Sequence, residues 1–354
     1  MRIVLDGMGS DNSPDVEVEG AVKASLESDT EIIITGDEHV LAAKLEQYPK
    51  RGNIRIVHAS EAIGMDESPV VAVRTKKDSS LLVAMRLVKE GKADACVSAG
   101  NTGAVMVAAR TVLGPIRGVA RSAICQMLPT LTGRVVVLDL GANVDCTVRH
   151  LCEFAEMGIA YATYEVGIKN PRVGLLNIGE EAAKGTQVAK EVHRILSNTP
   201  HINFVGNIEP KAMYNGEADV VVCDGFIGNI ILKTSEAVAG VMAKLMRKAM
   251  ESSNMSKLGA VLARAALQDL KKTVDPNEQL GAPLLGVNGT MMILHGSVTP
   301  VGIANGIHGG RRAFETKLND HIRENIAQLR DSELALGKVY TEEESGVTPE
   351  GPAA

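Results

Sequence analysis

The chain has 354 residues, of which 45% are hydrophobic and 23% charged, with a formal net charge of −6. This balance is that of a soluble globular protein, and it excludes a disordered chain and a strongly basic nucleic-acid binder. Aromatic residues make up only 3% and Trp is absent. The core must therefore be filled by Ala, Val, Ile, Leu and Met, and base-stacking platforms are not expected.

No run of 18 apolar residues lacks a charge, so no transmembrane helix is expected. The apolar run after Met1 stops at Asp6, too soon for a signal peptide. Five cysteines at 96, 125, 146, 152 and 223 form no C-x-x-C pair, which predicts reduced thiols in the cytoplasm.

Along the chain, short β-branched runs alternate with stretches of helical spacing. Strands are predicted at 2–5, 31–35, 54–57, 95–98, 123–128, 134–138, 172–177, 202–205 and 219–223. Most are continuous apolar runs, as in parallel strands covered on both faces. Helical spacing fills 78–89, 151–164 and 185–196, and the alternation predicts a layered, Rossmann-like α/β/α sandwich with a mainly parallel sheet. From 229 to 272 the pattern is mainly helical. Gly, Asn and Pro then punctuate 281–310, and a helix is predicted from Arg311 to about 335. With no linker in sight, residues 1–335 are expected to form one catalytic unit, of one lobe or two. Residues 336–354 read as a frayed tail.

Ligands of open parallel sheets bind beyond the carboxyl ends of the strands. Five predicted strand ends carry small and polar residues before a helix: 6–12, 98–103 (with Gly100, Asn101 and Thr102), 139–145 (with Asn143), 177–186, and 224–229 (with Gly225 and Gly228). Ordinary βα turns also favour Gly and Asn. Five such loops converging on one edge nevertheless point to a phosphate-handling site, because Gly lets the backbone approach an anion that a helix N-terminus then attracts. A G-x-G-x-x-G fingerprint, an H-E-x-x-H pair and a G-x-S-x-G elbow are all missing, and no histidine has a partner at ligand spacing. Neither metal nor cofactor is expected. Residues 179–186 read G-x-x-x-x-K-G-T, a near miss of a P-loop with Lys and Gly exchanged, which argues against an NTPase. Lys184 stands near a helix start, whereas Lys favours helix ends. Cys223 ends a buried strand and reads as a packing residue rather than a nucleophile.

Residues 255–272 combine a basic stripe at Lys257, Arg264 and Lys271 with an apolar arc that includes Leu258 and Leu262. Such a helix lies in a core, at a dimer interface, or on an anionic membrane surface.

The strand-end loops carry a resemblance. Asp6-Gly7-Met8-Gly9-Ser10-Asp11, Met65-Asp66-Glu67-Ser68-Pro69, Lys76-Lys77-Asp78-Ser79-Ser80 and Ser98-Ala99-Gly100-Asn101-Thr102-Gly103-Ala104 resemble PlsX-type phosphate acyltransferases. So do Leu138-Asp139-Leu140-Gly141-Ala142-Asn143-Val144-Asp145-Cys146, Leu175-Leu176-Asn177-Ile178-Gly179-Glu180-Glu181 and Val222-Cys223-Asp224-Gly225-Phe226-Ile227-Gly228-Asn229. The likeness runs from Met1 to about Ile326. It departs in the first loop, where Gly7, Ser10 and Asn12 replace the more usual Ala, Gly and His.

The resemblance implies a fold similar to the isocitrate/isopropylmalate dehydrogenase-like group and phosphotransacetylases. It implies conversion of long-chain acyl-acyl carrier protein and inorganic phosphate to acyl phosphate and free carrier, for phospholipid synthesis. It also implies a cytoplasmic homodimer with peripheral membrane contact near a membrane glycerol-3-phosphate acyltransferase. Lys184, Asp224 and Asn229 match positions regarded as active-site residues: Lys184 to neutralise phosphate and the developing oxyanion, Asn229 to hold phosphate or the thioester carbonyl, Asp224 to orient Lys184 or Asn229. Gly100, Asn101, Thr102, Asn143, Gly225 and Gly228 are weaker candidates for phosphate or substrate contacts. Competing readings are a phosphotransacetylase acting on an acyl-CoA, a dehydrogenase of similar fold, and a non-enzymatic membrane-surface scaffold.

Overall fold

The computed structural model describes residues 1–278 and 280–335. Among these, the strands are β1 (Arg2–Asp6), β2 (Glu31–Gly36), β3 (Ile54–His58), β4 (Ala95–Ser98), β5 (Ala123–Ile124), β6 (Gln126–Thr130), β7 (Gly133–Leu138), β8 (Val173–Leu176), β9 (Phe204–Ile208), β10 (Val220–Val222), β11 (Ala282–Leu285) and β12 (Thr290–Ile293). They form two sheets, ordered β3-β2-β1-β4-β12-β11-β5 and β6-β7-β10-β8-β9. Pairing is parallel except for β11 against both its neighbours and β6 against β7.

Both faces of both sheets are covered, as the continuous apolar runs require. Ile3, Val4 and Leu5, like Ile32, Ile33 and Ile34, are fully buried, each worth about 1.5–3 kcal/mol relative to exposure. One side of the first sheet packs on helices Asp15–Glu27 and Pro300–Glu315; one side of the second packs on Val148–Tyr161, Gln187–Ser197 and Leu318–Ala335. The remaining face is shared. Val4, Ile33 and Cys96 of the first sheet and Val135, Val137 and Val221 of the second belong to one continuous apolar cluster with helices Ser80–Lys89 and Thr102–Val112.

Several expectations are corrected. The strand predicted at 123–128 is two strands in different sheets, divided at Cys125, whose N–H bonds Pro283 while its neighbour Ile124 bonds Asp139 and Leu140. The last predicted strand before β10 lies at Phe204–Ile208 rather than 202–205. The punctuated stretch 281–310 holds β11, β12 and most of helix Pro300–Glu315. The helix predicted from Arg311 to about 335 is the end of that helix followed, after a break at 316–317, by a second one, Leu318–Ala335. Pro283 and the glycines masked the elements within 281–310. Gly306 lies where a Cβ would stand 2.8 Å from Leu294, and Gly309 where one would stand 2.1 Å from the Leu280 carbonyl, so these glycines permit close packing rather than turns.

The helical segment also differs. Helix Gly225–Glu251 begins before residue 229 and is followed by two short helices, Asn254–Leu262 and Arg264–Val274. The break at Ala263 puts Lys257 and Arg264 on separate helices, so the expected unbroken stripe is not formed. The Lys271 side chain and the tail 336–354 lie outside the described residues. By length and composition alone, Gly225–Glu251 could cross a bilayer, although Lys233 and Glu236 form an ion pair within it.

Candidate active site

Strands β7, β10 and β8 are neighbours, so the loops 139–145, 224–229 and 177–186 leave one sheet edge side by side. Loops 6–12 and 98–103 leave the other sheet, from β1 and β4. The five loops therefore divide between two edges instead of converging on one, because the chain changes sheet at Cys125.

The second-sheet edge is organised by Asp139. Its buried carboxylate accepts from the backbone N–H of Ile124 (3.0 Å), Ala142 (3.1 Å) and Asn143 (2.7 Å), and from Asn143 Nδ2 (2.9 Å). Burial still holds the carboxyl above its ordinary range. Asn143 Nδ2 also donates to the Ser122 carbonyl at 2.8 Å. Both protons of that amide are thus engaged, so Asn143 frames the loop and does not offer phosphate its amide protons.

Gly225 and Gly228 are likewise framing residues. Both are buried, and a Cβ would stand 2.7 Å from the Asn143 carbonyl at Gly225 and 1.8 Å from the Asp139 carbonyl at Gly228. The Gly225 N–H donates to Asn143 (2.7 Å), which removes it from any ligand. These two glycines seat the helix start directly on the Asp139 loop.

Asp224 is the N-cap of that helix, accepting from Ile227 N–H at 2.8 Å. Among the described residues its side-chain hydrogen bond goes to its own helix, and none to Lys184 or Asn229 is formed. Asn229 is exposed and lies over Gly141, whose φ of +117° suits glycine. Lys184 is exposed in loop 177–186, ahead of the helix that starts at Gln187 with Thr186 as its cap. Asn177 Nδ2 donates to the Lys184 carbonyl (3.2 Å), and Asn207 Nδ2 to that of Glu181 (2.9 Å), which pins the loop. Among the described residues neither the Lys184 ammonium nor the Asn229 amide has a bonded partner. An open cation and an open amide on one edge are what an anionic nucleophile and a developing oxyanion need.

The first-sheet edge is closed by comparison. Asp6 is buried, accepts from Ser98 Oγ at 2.8 Å, and is raised by its burial. Gly100 is buried and its N–H donates to Ser98 Oγ (3.1 Å). The Asn101 amide donates to the Met65 and Glu67 carbonyls (2.9 and 3.0 Å) while its oxygen caps helix Thr102–Val112 at Ala104. Gly100 and Asn101 are thus framing residues, leaving Thr102, exposed at the helix start, as the open one. Sequence reasoning passed over Asp6 and Asp139 as organisers. Their signal was an acid at, or immediately after, the end of an apolar strand.

A sequence profile for the family described as "Fatty acid synthesis protein" matches residues 1–321. The phosphate acyltransferase of Citrifermentans bemidjiense is 48% identical over 327 residues, covering 92% of this chain and 93% of that protein. The phosphate acyltransferase of Geobacter sulfurreducens is 46% identical, covering 92% and 94%.

This chain belongs to the PlsX-type phosphate acyltransferase family.

It is an acyltransferase. Among solved structures, a phosphotransacetylase from Streptococcus pyogenes superposes with a TM-score of 0.59 at 19% identity, covering 89% of this chain and 94% of that one. The EutD phosphotransacetylase from Staphylococcus aureus gives 0.58 at 16% identity, covering 88% and 94%. The phosphate acyltransferase chain thus has the mixed, mainly parallel α/β fold of phosphotransacetylases.

Proposed function

We propose that this phosphate acyltransferase moves a long-chain acyl group from the thioester of an acyl carrier protein to inorganic phosphate, giving acyl phosphate and free carrier. The observation that carries the reading is an edge where, among the described residues, the Lys184 ammonium is unpaired and the two nearby thiols, Cys146 and Cys223, are poor nucleophiles. Burial, then the Asp139 carboxylate, pushes the Cys146 thiol up to about 12, and burial likewise raises Cys223 well above the usual thiol range. Neither thiol supplies thiolate at neutral pH. Phosphate, whose second pKa is about 6, is already largely ionised and attacks directly.

A phosphate oxygen bonds to the thioester carbonyl carbon. The C–S bond then breaks, and the sulfur leaves as thiolate, protonated later by water; an ordinary thiol pKa of about 8.5 makes that departure easy. Lys184 neutralises the phosphate and the oxyanion, and Asn229 holds phosphate or the carbonyl oxygen. Positioning and charge stabilisation account for the rate.

The acyl phosphate then serves a membrane glycerol-3-phosphate acyltransferase in phospholipid synthesis. The protein is cytoplasmic and dimeric, with the exposed apolar face of Gly225–Glu251 (Val238, Val241, Met242, Leu245) against its copy. It touches the inner membrane surface through helix Asn254–Leu262, where Leu258 is 56% and Leu262 81% exposed. Leu258→Glu with Leu262→Glu should abolish flotation with anionic vesicles and leave soluble phosphorolysis intact. Loss of folding or of the dimer would instead place these leucines in an interface.

The deciding experiment for the activity is phosphate-dependent release of free carrier from purified long-chain acyl-carrier, with acyl phosphate trapped by hydroxylamine. Turnover of acetyl-CoA in place of the acyl-carrier would overturn the substrate assignment.

A further inference from the structure

The chain carries more acids than bases, 43 against 37, yet one surface beside the candidate site concentrates arginines. Arg110 lies in the last turn of helix Thr102–Val112, and Arg117 and Arg121 flank the turn that leads into β5. All three are exposed, and among the described residues none has a carboxylate partner. Arg149 reaches the same turn, donating to the Gly118 carbonyl at 3.1 Å and to Glu153 at 2.7 Å. Arg330 also lies against Gly118. Glu153 is 2% exposed, its first oxygen is taken by Arg149 and its second accepts from Ala120 N–H at 2.7 Å, so this acid is engaged below the surface and pairs with none of Arg110, Arg117 and Arg121.

The local potential leaves a second trace. His150, at the start of helix Val148–Tyr161, is lowered to about 4, first by burial and then by Arg121, Arg149 and Arg110. The patch is also joined to the site. Ser122, next to Arg121, accepts from Asn143 of the Asp139 loop. A partner seated on these arginines therefore stands beside the Asp139 loop, over which Asn229 lies.

We propose that Arg110, Arg117 and Arg121 form the docking surface for an acidic face of the carrier protein that presents the acyl thioester. The inference rests on the function proposed above and extends it to a partner surface. Unpaired charges around an interface set encounter rate and salt dependence more than the chemical step. The patch thus acts on carrier capture and not on turnover.

The test compares the parent with Arg117→Glu/Arg121→Glu on two thioesters, acyl-carrier and acyl-pantetheine, which lacks the protein. The variant should raise KM for acyl-carrier by about tenfold or more, with kcat within about twofold and phosphate KM unchanged. Its kcat/KM on acyl-pantetheine should equal the parent's, and the parent's kcat/KM should fall with added salt on acyl-carrier only. Equal losses on both thioesters would place the arginines in the site or the fold, and an unchanged carrier KM would remove the docking role. Release from anionic vesicles with unchanged carrier KM would assign the patch to lipid. Each of these overturns the proposal while leaving the activity standing. A parent that turns over acyl-pantetheine but not acyl-carrier would instead sink the carrier reading itself. Should the double reversal melt early, Arg117→Gln and Arg121→Gln measured singly are expected to shift carrier KM by about two- to fivefold each.

Discussion

Two sheet edges of this molecule are built on one device and end in different chemical states. At each, a buried aspartate closing a strand, Asp6 or Asp139, gathers hydrogen-bond donors and shapes a glycine-rich loop. Around Asp6 the polar groups turn inward: Asn101 and Ser98 are engaged, and a second buried acid, Glu17, sits behind Ser10. Around Asp139 the framing is equally tight, yet Lys184 and Asn229 remain open on top of it. The lesson is that loop texture marks where a ligand can approach, while unengaged donors mark where chemistry happens.

The largest expected effect is on the open edge. Lys184→Ala should lower kcat by about 10²- to 10³-fold, the scale for losing one oxyanion donor, with an unchanged thermal melt. Near-parental turnover in a folded variant would make the two edges equivalent.

A smaller effect is expected on the closed edge, in stability rather than rate. Burial raises the Glu17 carboxyl from 4.5 to about 7. The folded chain then binds that proton more tightly than the unfolded chain, so this group's contribution weakens stability as pH rises from about 4.5 to 7, by on the order of 3 kcal/mol. Glu17→Gln keeps an acceptor for Ser10 N–H and cannot ionise. Its stability relative to the parent should grow across that window and level off above pH 7, as read by urea unfolding at several pH values. A flat difference would show that Glu17 does not titrate there.

The smallest effect is expected at Cys223. It is buried against the Asp139 loop, so Cys223→Ala should keep turnover within about tenfold, short of the loss of a nucleophile. An acylated Cys223, seen by mass spectrometry after incubation with acyl-carrier alone, would replace direct attack with a covalent route.

Much of this was legible beforehand. The apolar runs at residues 2–5, 31–35 and 134–138 announced buried parallel strands, and Asp, Gly and Asn after them announced the loops. What stayed hidden depended on distant partners. That the amides of Asn101 and Asn143 are occupied follows from carbonyls at Met65 and Ser122, which sequence spacing cannot reveal. Likewise, Gly225 and Gly228 read as anion-binding glycines until the Asp139 loop is seen lying against them. The strands β11 and β12 escaped notice because each has four residues and Pro283 stands in one of them.

The placement of β12 has a consequence for how the chain is made. β12 pairs along the open side of β4, although it is synthesised roughly 190 residues later. At a ribosomal rate of about 5–20 residues per second, β4 waits on the order of 10–40 seconds for its neighbour. During that interval Ala95, Cys96, Val97 and Ser98 present an unpaired apolar border to the cell, the kind of border on which nascent chains stick together. The first sheet is therefore completed only after the second has been translated, and a ribosome stalled before residue 290 would carry a half-built sheet and a strong claim on chaperones.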